Sequence, residues 1–138
     1  MTSSQSVIPE QARSLFKNKN FAFLSTIMKD GSPQISPVWV DIDGDDILIN
    51  TAQGRVKQKN VARDPRVAIS IVDNANPYTM VTVRGKVVEQ AAEGADRHID
   101  LMAKKYLGMD KYPFAMPGEK RILLRIKPER ALFVPPRQ

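Results

Sequence analysis

The sequence has no cysteine and a single histidine, His98. That removes disulfides, thiolate nucleophiles and thiolate metal sites, and it leaves no second imidazole to share a metal, so zinc chemistry has no ligand set. Serine-histidine-aspartate hydrolysis would have to run through His98, which falls in a polar part of a predicted helix and reads as exposed. No run approaches the roughly 18 apolar residues of a membrane span. Residues 1–6 lack a basic region leading into an apolar stretch, so they do not read as a secretory signal, and the expected compartment is the cytoplasm. No glycine-rich P-loop or dinucleotide turn is present either, which leaves nicotinamide binding through such a turn unsupported.

What is there is 138 residues, enough for one domain over 1–138 with a real core, and a formal charge of +6. A pI near 9.7 suits an anionic partner and does not choose among nucleic acid, anionic lipid and a small polyanion. The charge is concentrated in residues 54–66, where Arg55, Lys57, Lys59, Arg63 and Arg66 stand against Asp64 alone, a local charge of +4. Such a cluster is commonly a solvated helix face. Its position argues for more. It follows the apolar run 47–51 and stops at Asp64-Pro65, so it reads as strand, tight turn at Gly54, then a short helix with cations in its first turn. Free N–H groups and the positive end of the helix dipole favour an anion there, most simply a phosphate. In a helix Arg55 and Lys59 share a face and Lys57 lies elsewhere; if 54–59 is extended, all three point one way. Nucleic-acid sites interleave stacking aromatics with cations, and residues 54–66 contain none, so no nucleic acid is expected as partner; with no apolar span, no membrane is expected either.

Hydrophobic spacing predicts an amphipathic helix over 9–19 and strands over 21–28, 34–43, 46–51, 67–72, 80–89, 121–126 and 131–134. Asp30-Gly31 and Asp43-Gly44 mark tight turns. Pro37 cannot donate to a ladder, so an edge, bulge or opening is expected there, and Gly85 is a bulge or bend candidate. The run 67–72 reads as a fully buried strand. Ile99, Met102, Ala103 and Tyr106 recur at helical spacing over 93–107, with Gly108 as the stop. Lone Trp39 is expected in the core or an interface, with a stacking role open to it. Six or seven strands with hairpin links and few helices predict a mostly β protein, a small antiparallel barrel.

Several features together form a pattern: Ala22, Leu24, Ser25 and Thr26; the turn Asp30-Gly31-x-Pro33-Gln34; the strand Ser36-x-Val38-x-Val40; the strand from Asp46 to Thr51; and the run Arg55-x-Lys57-x-Lys59-Asn60-Val61-x-Arg63-Asp64-Pro65-Arg66-Val67. The pattern resembles the pyridoxamine-phosphate-oxidase-like split β-barrel flavoproteins, and more narrowly their branch that uses the deazaflavin coenzyme F420. The likeness is strong over 21–89 and continues weakly to Arg130-Ala131-Leu132-Phe133. It implies a homodimer with cofactor sites at the interface. Arg55, Lys57 and Lys59 would hold the phosphate or acidic tail, and Asn60 would add a polar contact. Ser36, Pro37, Val38, Thr51 and Gln53 would line the ring, and Tyr78 would come from the partner subunit. The implied activity is hydride transfer to a small conjugated acceptor such as a quinone, enone or tetrapyrrole, with no catalytic acid or base identifiable. Flavin mononucleotide (FMN) would use the same cations, which keeps an FMN oxidoreductase and a non-catalytic cofactor carrier as alternatives.

Overall fold

The computed structural model describes residues 6–136. A 3-10 turn at Glu10–Ala12 leads into α1 (Arg13–Lys17), followed by β1 (Ala22–Ile27), β2 (Pro33–Val38), β3 (Asp41–Asp43), β4 (Asp46–Ala52) and α2 (Val56–Arg63). Then come β5 (Arg66–Val72), β6 (Met80–Ala91), α3 (Ala95–Leu107) and β7 (Arg121–Val134). The seven strands make one antiparallel sheet in the order β2-β1-β5-β6-β7-β4-β3, the mostly β architecture expected.

β2 and β3 are the two free edges of this sheet, yet only Trp39 and Val40 separate them along the chain. An extended chain advances at most about 3.5 Å per residue, so the edges lie within roughly 10 Å of each other. The sheet is therefore curled into a barrel whose last seam is closed by covalent chain and not by a ladder. The run 34–43, expected as one strand, is interrupted at this link and not at Pro37. Pro37 sits inside β2 opposite Phe23, on an edge strand, the place in a sheet where a residue without an N–H is tolerated.

Backbone groups at the seam still need partners, and α3 supplies them. Val40 N donates to Tyr106 Oη at 3.1 Å, and Lys105 Nζ donates to the Val40 carbonyl at 2.7 Å and to the Phe16 carbonyl. The Tyr106 hydroxyl donates in turn to the Asn20 carbonyl at 2.6 Å. Burial pulls the Lys105 ammonium down to about 8 from 10.5 and pushes the Tyr106 phenol up to about 12. Between pH 8 and 10.5 the unfolded chain thus holds the lysine proton that the folded protein has released, so this group makes stability rise with pH. That contribution is complete above 10.5 and lost as pH falls through 8; above pH 10 Tyr106 works in the opposite sense. Urea midpoints measured from pH 7 to 10 should rise more steeply for the native protein than for Lys105→Met, and parallel profiles would refute the assignment.

Phe16, Ile8 and the inward residues of the sheet (Leu24, Ile47, Ile49, Ile69, Ile71, Val81, Val83, Leu124, Ile126) form the core. β5 buries Val67, Ile69 and Ile71 and turns Ala68 and Ser70 to the outer face, so it is covered on one side and not on both. The two strands expected over 121–134 are one strand. The Lys127-Pro128-Glu129-Arg130 segment that suggested a break is absorbed as a bulge, with Arg84 opposite Arg130 and Gly85 opposite Pro128. Gly85 is at the bulge as expected, because a Cβ there would sit 2.3 Å from the Lys127 carbonyl oxygen. His98, expected in solvent, is buried; the polar neighbours in sequence concealed that its own side of α3 faces Asp41 and Asn50.

The register also orders the outer face. One row across five strands reads Pro37, Phe23, Ser70, Thr82, Leu132, and the next reads Ile35, Ser25, Ala68, Arg84, Arg130. Phe23, Ile35 and Leu132 are 41%, 66% and 64% exposed, so this face carries bare apolar side chains beside a pair of arginines.

Candidate functional site

The site begins where β4 ends. Gly54, at φ +91°, turns the chain, and Arg55 stays extended as the residue before the first turn of α2. Arg55 therefore does not follow the helical rotation, and its side chain and that of Lys57 line the same cavity. Lys59, one turn on, is exposed and outside it. This resolves the two arrangements left open by the sequence.

The cavity, about 190 Å³, lies against the seam: Pro37, Val38 and Trp39 form one wall, Asn50 and Thr51 of β4 another. Trp39 is stacked on Tyr106 (centroids 5.1 Å, planes 4° apart), which fixes its orientation. Tyr112 meets Trp39 edge-on at 6.0 Å and Phe114 packs on Tyr112, so the loop after α3 forms a roof. The Arg121 guanidinium lies 5.1 Å from the Tyr112 ring centroid.

Three cations thus converge with one acid among the described residues. Glu119 takes Arg55 at 3.0 Å and meets Arg121 at 3.2 Å without hydrogen-bond alignment. Lys57 has no carboxylate partner among the described residues. Burial first, and then repulsion from Arg55 and Arg121, hold its ammonium below the usual lysine range. Among the described residues the buried Thr51 hydroxyl has no hydrogen-bond partner, and no acidic residue occupies the first turn of α2. Each of these features costs stability in the bare protein. An oxyanion would relieve them together, since hydrogen bonds to a charged group contribute about 1.5–3 kcal/mol each.

Of the residues implied by the resemblance, Pro37, Val38, Thr51, Arg55 and Lys57 are brought together here. Ser36 is half-buried on the inner side of β2 opposite Leu24. Gln53 is exposed, its N–H donating to the Lys120 carbonyl. Asn60 is buried, and its amide is committed to Thr26, Met28 and Arg63, tying α2 to β1. Tyr78 is 76% exposed in the β5–β6 loop, outside the cavity. Four lining residues had no local signal. Asn50 and Arg121 reach the site through pairing of β4 with β7, where Ala52 opposes Arg121, and Tyr112 and Phe114 come from an irregular loop.

Known proteins share this fold. An F420 reductase of known structure superposes with a TM-score of 0.79 at 26% identity, over 91% of this chain and 98% of that one. HupZ of Group A Streptococcus (TM-score 0.68, 20% identity, 92% and 94% coverage) and General Stress Protein 26 of Bacillus anthracis (0.66, 14%, 91% and 92%) share the fold. Residues 8–135 match the pyridoxamine 5'-phosphate oxidase family. A seven-stranded split barrel with a cationic cavity at its seam is the architecture in hand, and the chain belongs to the pyridoxamine 5'-phosphate oxidase family, at the family level a group of oxidoreductases.

Proposed function

We propose that the protein is a reductase that uses the deazaflavin coenzyme F420 and works as a homodimer. The observation that carries this reading is the half-buried ammonium of Lys57, without a carboxylate partner among the described residues, beside Arg55 and Arg121 in a cavity walled by Pro37, Val38 and Trp39. Lys57 and Arg55 would grip the cofactor's phosphate, with the unpartnered Thr51 hydroxyl and the first N–H groups of α2 at hand to donate. Pro37, Val38 and the immobilised Trp39 would align the ring along the seam. When bound, the coenzyme supplies a hydride to a conjugated acceptor lying on its ring. The protein's part is to orient both and to exclude water, and Tyr112 and Phe114 are placed for the second task. The likeness to an F420 reductase supports deazaflavin over FMN.

Two features support a homodimer. Pockets for ligands of this size run to about 300–1,000 Å³, and one protomer offers about 190 Å³. The outer face that exposes Phe23, Ile35 and Leu132 gives a second copy an apolar surface to cover. In that arrangement Tyr78 of each subunit would complete the other's site.

Titrating the protein with F420 and, separately, with FMN while recording absorbance tests the proposal. Saturable micromolar binding of F420 to a particle sedimenting at twice the chain mass is expected. Tight FMN binding with oxygen consumption on reduction would favour the FMN oxidoreductase instead, because reduced flavin reacts readily with oxygen and reduced deazaflavin does not. Failure to bind either would end the reading.

A further inference from the structure

Asn50 lies between groups that determine which way its amide points. Its Oδ1 accepts from Arg121 Nε at 2.9 Å, and its Nδ2 donates to the Ala95 carbonyl at 2.7 Å. Turning the amide over would set NH2 against an arginine N–H and oxygen against a carbonyl, so only one orientation satisfies both ends. The same Nδ2 is 3.2 Å from Nδ1 of His98, which must then be an acceptor and carry no proton. The ring proton is on Nε2, which donates to Asp41 Oδ2 at 3.0 Å. His98 is 7% exposed, so water does not substitute for either partner.

We propose that His98 is a positioning residue for the cavity: as a neutral, Nε2-protonated imidazole it fixes the Asn50 amide, and through it the Arg121 guanidinium. The inference rests on reading the cavity as an anion site. It gives that site a proton-dependent setting. A second proton, on Nδ1, would place N–H against the Asn50 NH2. The amide would have to turn, and Arg121 Nε would lose its acceptor. The groups facing this relay are Asp41 on β3, Asn50 on β4, Arg121 on β7 and, within α3 and near Asp41, Lys105. The Asp41 carboxylate favours the doubly protonated ring and the Asn50 amide opposes it, which makes the ring's state responsive to what Arg121 is doing.

Because His98 is the only histidine, its imidazole nitrogens are unambiguous by NMR. Long-range proton–nitrogen spectra at pH 8 should show Nδ1 unprotonated and Nε2 protonated; the reverse tautomer overturns the proposal. Inorganic pyrophosphate, followed by calorimetry, probes the cavity without reference to either coenzyme. At a pH where both ring states are populated, pyrophosphate should drive the ring toward the neutral form, the reverse of what direct attraction between anion and imidazolium would do. His98→Gln keeps a donor toward Asp41 and offers nothing to Asn50; it should bind pyrophosphate about fivefold to tenfold more weakly, as expected for one lost hydrogen bond. His98→Asn places an amide oxygen near the Nδ1 position; it should stay within about twofold and lose the weakening on acidification. Equal affinities and pH profiles for both variants and the native protein would refute the relay alone. No pyrophosphate binding by the native protein would refute the anion-site reading, and the relay with it.

Discussion

Replacing Lys57 by methionine should weaken cofactor binding by about 10- to 150-fold, the equivalent of a charge-assisted hydrogen bond of 1.5–3 kcal/mol, and Lys57→Glu should abolish measurable binding. The same substitutions should leave the melting temperature unchanged or raise it. Lys57 is desolvated and sits among like charges, with Arg55 and Arg121 contributing to its depressed titration, so the unbound protein gains from losing that ammonium. Glutamate at 57 would even find guanidinium partners. Opposite signs for affinity and stability are what separates a binding group from a structural one. Arg55→Met should cost less affinity than Lys57→Met, because Glu119 already holds Arg55 at 3.0 Å and competes with any ligand for it. If Lys57→Glu bound F420 and FMN within threefold of the native protein, the cations would not be the grip.

Gly85→Ala should be the most damaging single-methyl change in the chain. A Cβ at that position meets Lys127 O at 2.3 Å, Lys127 C at 3.1 Å and Pro128 Cα at 3.2 Å, all of them backbone. No side chain can rotate out of the way, so β6 and β7 must separate at the bulge. Overpacking of this kind costs about 3 kcal/mol, which for a chain of this size lowers the melting temperature by about 10 °C. Gly31→Ala is the control. Gly31 has φ +90°, and a Cβ added to it would have nothing within 4 Å, so only backbone strain of about 1–2 kcal/mol applies. Equal losses for the two variants would show that the close approach of β7 is not what requires glycine at 85.

These two residues also mark where the sequence was readable. Gly85 interrupts a β-branched run, and a glycine inside a strand points to a bulge or to another backbone close by; the basic stretch after Ile47-Leu48-Ile49 likewise declares itself locally. The α3 face of Ile99, Met102, Ala103 and Tyr106 was equally plain from spacing, and all four are buried. What was hidden depends on partners far along the chain. His98 lies among charged residues in sequence, and only the fold puts Asp41 and Asn50 beside it. Arg121 opens β7 like any surface arginine until β4 is laid alongside. Lys59 and Asn60 follow the motif that carries the family likeness, yet the helical turn sends Lys59 to solvent and Asn60 into the joint with β1. A break at Trp39–Val40 has no turn residue to announce it, because the chain there does not turn; it crosses from one edge of the sheet to the other.

That crossing divides the cavity into a part that tolerates change and a part that does not. An extra residue between β2 and β3 would shift the alternation and exchange inward for outward side chains in one of the flanking strands. The segment between Gly108 and Arg121 is irregular and is held midway at Tyr112, whose N–H donates to Asp100 and whose ring meets Trp39, and doubling such a loop adds about 0.6 kcal/mol of closure entropy. Related proteins can therefore trade one roof for another, and with it the shape of molecule admitted, while the floor beneath keeps its spacing.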